Sequence, residues 1–259
     1  MDDLILLERR GDIAVLTINR PEKRNAIPRE GWHRIADLAE ELAADPDMRC
    51  IVLRGAGTEA FTAGADISRF EVERASRELV EQYTEATKRC FRVLRHGRLP
   101  AVAMIHGFCL GGGFEMALAC DLRISGRSGR FGVPAKAVGL FLSWDLVELL
   151  VDIAGTATAL ELMLEGRALD ADEALAKGLV TRIVDDGMLE DEVMAAARRI
   201  ADGAPLAARW HRTAIHRVGD PAPYSEAELV AQHDYADTDD YREGFAAFLR
   251  RQKPNFRGR

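Results

Sequence analysis

The stretch Ile105-His106-Gly107-Phe108-Cys109-Leu110-Gly111-Gly112-Gly113-Phe114-Glu115 (residues 105–115) decides how this 259-residue chain is read. It follows an apolar run from Ala101, read as a buried strand ending at Ile105. It then crosses a glycine loop, Gly107 to Gly113, into a helix that starts at Phe114 and runs to Cys120. A strand, a glycine loop and a helix in that order leave backbone N–H groups unpaired at the helix N-terminus, where an anion is favoured. A nucleotide phosphate fits poorly, because there is no GxGxxG, no following Lys-Ser/Thr, and Glu115 in the first turn would repel it. A thioester oxygen that becomes anionic only during reaction fits better, since fixed N–H donors stabilise charge as it develops. Glu115 then becomes a candidate acid/base beside that oxygen; the alternative is a tight turn with a helix-capping glutamate.

Outward from this stretch, strands alternate with helices. Ile13–Asn19 reads as a strand, Pro28–Ala44 as a helix, Cys50–Arg54 as a strand and Gly55–Asp66 as a loop. Arg69–Arg95 reads as one long helix, and Leu122–Ser125 as a further strand after the glycine loop. Alternation of this kind predicts an α/β fold with mostly parallel pairing. Beyond Gly187 only helices are expected: Met188–Asp202, Pro205–Val218, Ser225–Asp237 and Asp239–Arg251. The reading is a core over 1–195 and a helical region over 196–259.

The composition is that of an ordinary globular protein, 47% hydrophobic and 30% charged, which excludes disorder and small stapled scaffolds. A net charge of −7 argues against nucleic-acid binding through a general positive field. Lys88, Arg89, Arg92 and Arg95 form a partial basic stripe, but Glu81 and Glu85 lie upstream and a solvated face is expected. Basic residues gather at the end, as Arg250, Arg251, Lys253, Arg257 and Arg259 with no acid among the last ten residues. The opening Met1-Asp2-Asp3 lacks the basic start of a secretory signal, and Leu99–Cys120 is interrupted by Pro100, His106, three glycines and Glu115. Neither export nor a membrane span is expected. Cys50, Cys90, Cys109 and Cys120 form no CxxC pair and read as reduced thiols of a cytoplasmic protein. His211 and His216 are not spaced for a metal, and no metal site is expected.

A second loop, Ala60-Phe61-Thr62-Ala63-Gly64-Ala65-Asp66-Ile67, also offers small residues that let a ligand approach the backbone. With RPEKRNAI (20–27), IHGFCLGGGFEMALACDLRIS (105–125), FGVP (131–134), GLV-x-x-IV (178–184) and EGFAAFLRRQKPNF (243–256), it makes the chain resemble the crotonase (enoyl-CoA hydratase/isomerase) superfamily over essentially its whole length. The resemblance implies a crotonase-like spiral of ββα units with a C-terminal helical oligomerisation region that builds trimers or dimers of trimers. It implies an acyl-CoA thioester as substrate, with CoA part of that substrate and no separate cofactor. It carries the two oxyanion-hole N–H donors onto Ala65 and Gly112, and the CoA-lining backbone onto Ala26, Ala63, Asp66 and Ile67. Phe248 and Arg251 match the aromatic and basic residues that hold the nucleotide end of CoA, which would give the basic tail a role.

Two places depart from the pattern. Hydratases of this family use two glutamates, and the second falls here on Ala135, whose methyl group moves no proton. Where hydratases carry a glycine-rich turn, this chain has Leu140-Phe141-Leu142-Ser143-Trp144-Asp145, which predicts a bulkier pocket. Three reactions stay open: hydration or its reverse through Glu115 alone, double-bond isomerisation by a single carboxyl, and hydrolysis or another thioester reaction with Asp145 as a replacement carboxylate. Asp145 also reads as the N-terminal charge of the helix through Leu146, Val147, Leu149 and Leu150. A non-catalytic acyl-CoA binder is the remaining alternative, against which Glu115 and both loops weigh.

Overall fold

The structure is a computed structural model and describes residues 4–259; Met1-Asp2-Asp3, used above to argue against export, lies outside the described residues. Two sheets carry the fold. The larger is built from β1 (Ile5–Arg10), β2 (Ile13–Ile18), β3 (Cys50–Gly55), β5 (Ala101–Ile105), β7 (Leu122–Gly126) and β10 (Arg182–Val184), in the order β1-β2-β3-β5-β7-β10. Only β1 and β2 pair antiparallel; every later neighbour is parallel. The smaller sheet has the order β4-β6-β8-β9, from β4 (Ala60–Thr62), β6 (Phe108–Leu110), β8 (Arg130–Gly132) and β9 (Leu169–Asp170).

The chain alternates between the two sheets. β3 feeds β4, β5 feeds β6 and β7 feeds β8, and each pair is followed by helix. These helices are α2 (Phe70–Glu73) with α3 (Arg77–His96), then α4 (Gly112–Ala119), then α5 (Trp144–Glu165). Three successive ββα turns therefore make the predicted spiral. Along the large sheet, alternate residues face opposite ways. Ala14, Leu16, Ile51, Leu53, Ala101 and Ala103 face the main core with α1 (Arg29–Ala44), α3 and α4, while Ile13, Val15, Cys50, Val52, Val102 and Met104 face α7 (Leu189–Ala201). Burial on both faces explains why these strands read as continuous apolar runs.

Several sequence expectations need correction. β1 was not anticipated, because ILLERR is mostly exposed at the sheet edge and shows no clean alternation. The segments Gly55–Asp66 and Gly107–Gly113 each hold a three-residue strand, too short to carry a periodic signal, and α4 starts at Gly112 rather than Phe114. The helix expected over Arg69–Arg95 is broken at Arg74–Ser76, where Ser76 caps α3 by accepting from the Leu79 N–H (3.3 Å). Ser225–Asp237 is a short α9 (Glu226–Ala231) followed by a 3-10 turn. A division at 195 would cut α7, yet Ala196, Ala197 and Ala201 pack on the sheet, so α7 belongs to the core. Beyond Asp202 remain α8 (Pro205–Val218), α9 and α10 (Asp239–Arg250), with α6 (Ala171–Ala176) lying earlier, after β9. Among the described residues all four cysteines are buried and free. No helix among the described residues is long and apolar enough to cross a membrane, and no group of three His, Cys, Asp or Glu among them could hold a metal ion.

Candidate active site

The segment Arg20–Ile27 leaves β2 and clamps the loop that follows β4. Asn25 sits at φ 56, a left-handed conformation that asparagine tolerates better than most residues. Its Nδ2 donates to the carbonyls of Ala56 (3.0 Å) and Ala60 (2.8 Å), and its Oδ1 accepts from the Arg20 N–H (3.0 Å). Thr62 Oγ1 donates to the Asn25 carbonyl (2.7 Å) and accepts from the Gly64 N–H (3.0 Å). Across the gap, Ala63 N–H donates to Arg24 O, Ile27 N–H to Gly64 O and Asp66 N–H to Ile27 O (2.7–3.0 Å). This pairing engages Gly64 and Asp66 and leaves the Ala65 N–H between them outside the ladder. Asp66 is buried and ties the loop down through Arg20 (2.9 Å) and Ser68. Burial works against its charge, but the Ser68 and Arg20 hydrogen bonds prevail and hold the carboxyl below its usual range.

The glycine loop approaches from the other side. Gly111 adopts φ 51, ψ −133, a conformation open to glycine alone in practice, and its N–H donates to Gly132 O (2.8 Å) on β8. The helix starts at once, so the N–H groups of Gly112 and Gly113 have no acceptor within α4. The two loops touch. A Cβ on Gly64 would lie 2.6 Å from Leu110 O and 3.3 Å from Gly112 N, and one on Gly113 would lie 2.2 Å from Thr62 Cγ2. Ala65 and Gly112 are thereby held on adjacent loops.

Glu115 lies in the first turn of α4, only 4% exposed, and its Oε1 has no hydrogen-bond partner. A Cβ built on Gly112 would be 3.8 Å from Glu115 Oε2 and 3.3 Å from the edge of Trp32, so carboxyl, helix N-terminus and indole share one wall. Trp32 is itself fixed by donating from Nε1 to the Tyr83 hydroxyl (2.8 Å). Burial among these apolar neighbours pushes the Glu115 carboxyl up to about 8, against a smaller opposing pull from the Arg74 guanidinium. A buried, unpartnered carboxyl beside free N–H donors can hold and release a proton next to a site that stabilises negative charge.

The remaining expected residues separate. Ala26 is buried in the clamp, Ala63 is partly covered, and Ile67 stands 57% exposed at the loop rim. Ala135 is buried in the 3-10 turn just beyond Gly132 and its methyl packs into the core. Phe141 and Trp144 do not fill the cleft as expected. Leu140 and Leu142 turn inward, which sends the two aromatic rings outward to meet edge-on at 5.9 Å. Asp145 opens α5 with a largely exposed side chain paired to Lys88 (2.6 Å), which favours its reading as a helix-terminal charge. Asp145→Asn should cost under about 1 kcal/mol in a denaturant melt and leave turnover within roughly twofold. Phe248 and Arg251 are exposed near the end of α10. Among the described residues, no hydrogen bond, ion pair or ring contact joins them to Glu115 within the chain.

Asn25, Thr62, Trp32, Tyr83 and Arg74 were not singled out from sequence. Asn25 could have been, because a buried-loop Asn directly after a charged turn often marks a left-handed residue; the others carry no local signal. A separate concavity of about 570 Å³ is lined by Leu6, Thr17, Arg54, Met104, His106 and Glu190 among others. None of Ala65, Gly112 and Glu115 lines it, and its Arg54 and Glu190 are paired with each other (3.4 Å).

Residues 8–259 match the sequence model of the enoyl-CoA hydratase/isomerase family. The short-chain-enoyl-CoA hydratase of Clostridium acetobutylicum is 32% identical over 253 residues (96% of this chain, 95% of the relative). The crotonyl-CoA hydratase of Syntrophomonas wolfei is 31% identical over 255 residues, covering 97% of both chains. Among solved structures, an enoyl-CoA hydratase/carnithine racemase from Magnetospirillum magneticum superposes with a TM-score of 0.97 at 44% identity, over 100% of this chain and 97% of that one. With both loops in place and the likeness running from end to end, the chain belongs to the enoyl-CoA hydratase/isomerase family.

Proposed function

We propose that the protein adds water to, or removes it from, the 2,3 double bond of an enoyl-CoA thioester, with Glu115 as its acid/base. The observation that carries this reading is the buried, unpartnered Glu115 carboxyl against the helix end that presents the Gly112 N–H. Ala65 and Gly112 N–H would receive the thioester oxygen, and their donation strengthens as that oxygen becomes an enolate. Ionised Glu115 takes a proton from water as its oxygen bonds to C3, the double-bond electrons move onto the thioester oxygen, and the protonated carboxyl returns a proton to C2. The balance is one water added, and one carboxyl serves both steps in the absence of an acid at Ala135. CoA enters as part of the substrate, and the reaction needs no metal or organic cofactor.

Ala26, Ala63, Asp66 and Ile67 would supply backbone along the CoA arm. Phe248 and Arg251 would reach the nucleotide end from a neighbouring subunit of a trimer or dimer of trimers. The exposed Tyr241, Phe245, Phe248 and Leu249 on α10 support such an assembly. A cytoplasmic location fits the four free thiols.

A second reading, double-bond isomerisation, is favoured by the single carboxyl, since shuttling a proton between carbons needs only one. Incubation with a panel of enoyl-, 3-hydroxyacyl- and saturated acyl-CoA esters decides. A product heavier by one water is expected, unchanged mass with a moved double bond assigns isomerisation, and released free thiol assigns hydrolysis and overturns both.

A further inference from the structure

Arg74 is a cation that the proposed chemistry leaves unused. It ends α2 at φ −133, ψ 23, in the break before α3. Its guanidinium carbon lies 4.2 Å from the ring centre of Phe70 and 4.1 Å from that of Tyr83. The two rings meet edge-on (6.2 Å) and hold the planar group in a fixed orientation. Its Nε is buried without a hydrogen-bond partner, and among the described residues Arg74 forms no ion pair. The nearby acids are already taken. Glu73 pairs with Arg69 (2.8 Å) and accepts from the Arg29 N–H (3.2 Å), and Glu30 pairs with Arg69 (2.7 Å).

A chain of contacts also links Arg74 to Glu115. Tyr83, on which it stacks, accepts from Trp32, and Trp32 abuts Gly112 beside the Glu115 carboxyl. Arg74 is the charged group whose field reaches Glu115. A half-buried guanidinium with an orphaned donor is costly to maintain unless an anion completes it. Glu115 does not, since its own Oε1 is unpartnered.

We propose that Arg74 receives a carboxylate carried by the acyl group, so that the site prefers CoA esters of dicarboxylic acids to those of plain fatty acids. This rests on the acyl-CoA reading above. The test pairs saturated esters of equal length (succinyl- with butyryl-CoA, glutaryl- with pentanoyl-CoA, adipoyl- with hexanoyl-CoA) in titration calorimetry, alongside turnover of the corresponding unsaturated esters. For at least one length the dicarboxylic ester should bind roughly 10- to 100-fold tighter, the range of a charge-assisted hydrogen bond. Arg74→Met should erase that ratio and Arg74→Lys retain part of it, since the charge stays but the fork is lost. If Arg74→Met fails to fold, Arg74→Gln carries the same comparison. Parity at all three lengths in the wild type, or a ratio that survives removal of the guanidinium, overturns the proposal. So does an equal loss on both members of a pair with a displaced pH profile, which would make Arg74 a partner of Glu115 only. Selective binding without turnover would sink hydration and leave this proposal standing; turnover without selectivity would do the reverse.

Discussion

Glu115→Gln is expected to lower kcat/KM on an accepted enoyl-CoA by roughly a thousandfold and, in the same protein, to raise the melting temperature at alkaline pH. The first effect follows from removing the one group placed to carry protons. The second follows from burial. A carboxyl held at about 8 when folded, and near 4.5 when unfolded, binds its proton more tightly in the native state. Its contribution to stability is therefore complete below the unfolded value, declines as pH rises above it, and is lost through about 8. At pH 9 the ionised, buried carboxylate costs roughly 3–5 kcal/mol, a cost that glutamine does not incur. Melting curves for both proteins should nearly coincide at pH 5 and separate steadily toward pH 9. Wild-type kcat/KM should rise with pH through about 8 in both directions, because the ionised carboxyl begins hydration at water and dehydration at C2, and the overall equilibrium exchanges no proton with the medium. Coincident melting curves at pH 9 would show that burial does not hold the carboxyl up, and full activity in the variant would remove Glu115 from the mechanism.

Gly64→Ala should cost about 100- to 1000-fold in kcat, the loss seen when an oxyanion donor is misplaced. Gly64 sits at φ 91, and its added methyl would meet Leu110 O at 2.6 Å, so either the clamp loop or the glycine loop must move. Either movement alters the spacing of the Ala65 and Gly112 N–H groups. Gly11→Ala is the matched comparison. It has a similar positive φ of 68 in the turn between β1 and β2 but nothing within 4 Å of the new methyl. That variant should lose about 1 kcal/mol of stability and keep its turnover. If both variants melt alike and turn over alike, the contact between the loops is irrelevant to catalysis.

The parts of this molecule that can be read from sequence are those whose physics is local. The apolar runs at Ile13, Cys50 and Ala101 announce strands buried on both faces, and the consecutive glycines at 111–113 announce a helix end free to donate. Three-residue strands such as β4 and β6 are invisible because they exist only through pairing with strands distant in sequence. The same holds at the site. Glu115, Ala65 and Gly112 are recognisable by motif, whereas Asn25, Trp32 and Arg74 acquire meaning from partners far along the chain. Trp32 meets Tyr83 across 51 residues and Asn25 meets Ala60 across 35. The outward turn of Phe141 and Trp144 was missed for the same reason, since an aromatic beside a pocket-forming turn gives no sign of which way it faces.

The spiral also divides the chemistry among its turns. In the proposed mechanism the first turn supplies Ala65, the second supplies Gly112 and Glu115, and the third supplies only the position held by Ala135. The proposed charge-stabilising donors thus lie at the seam between two turns, while the third would add an interchangeable side chain from outside that seam. A lineage can exchange or discard the acid on the third turn without disturbing the seam, and so acquire a new reaction by one substitution while its grip on the thioester stays intact.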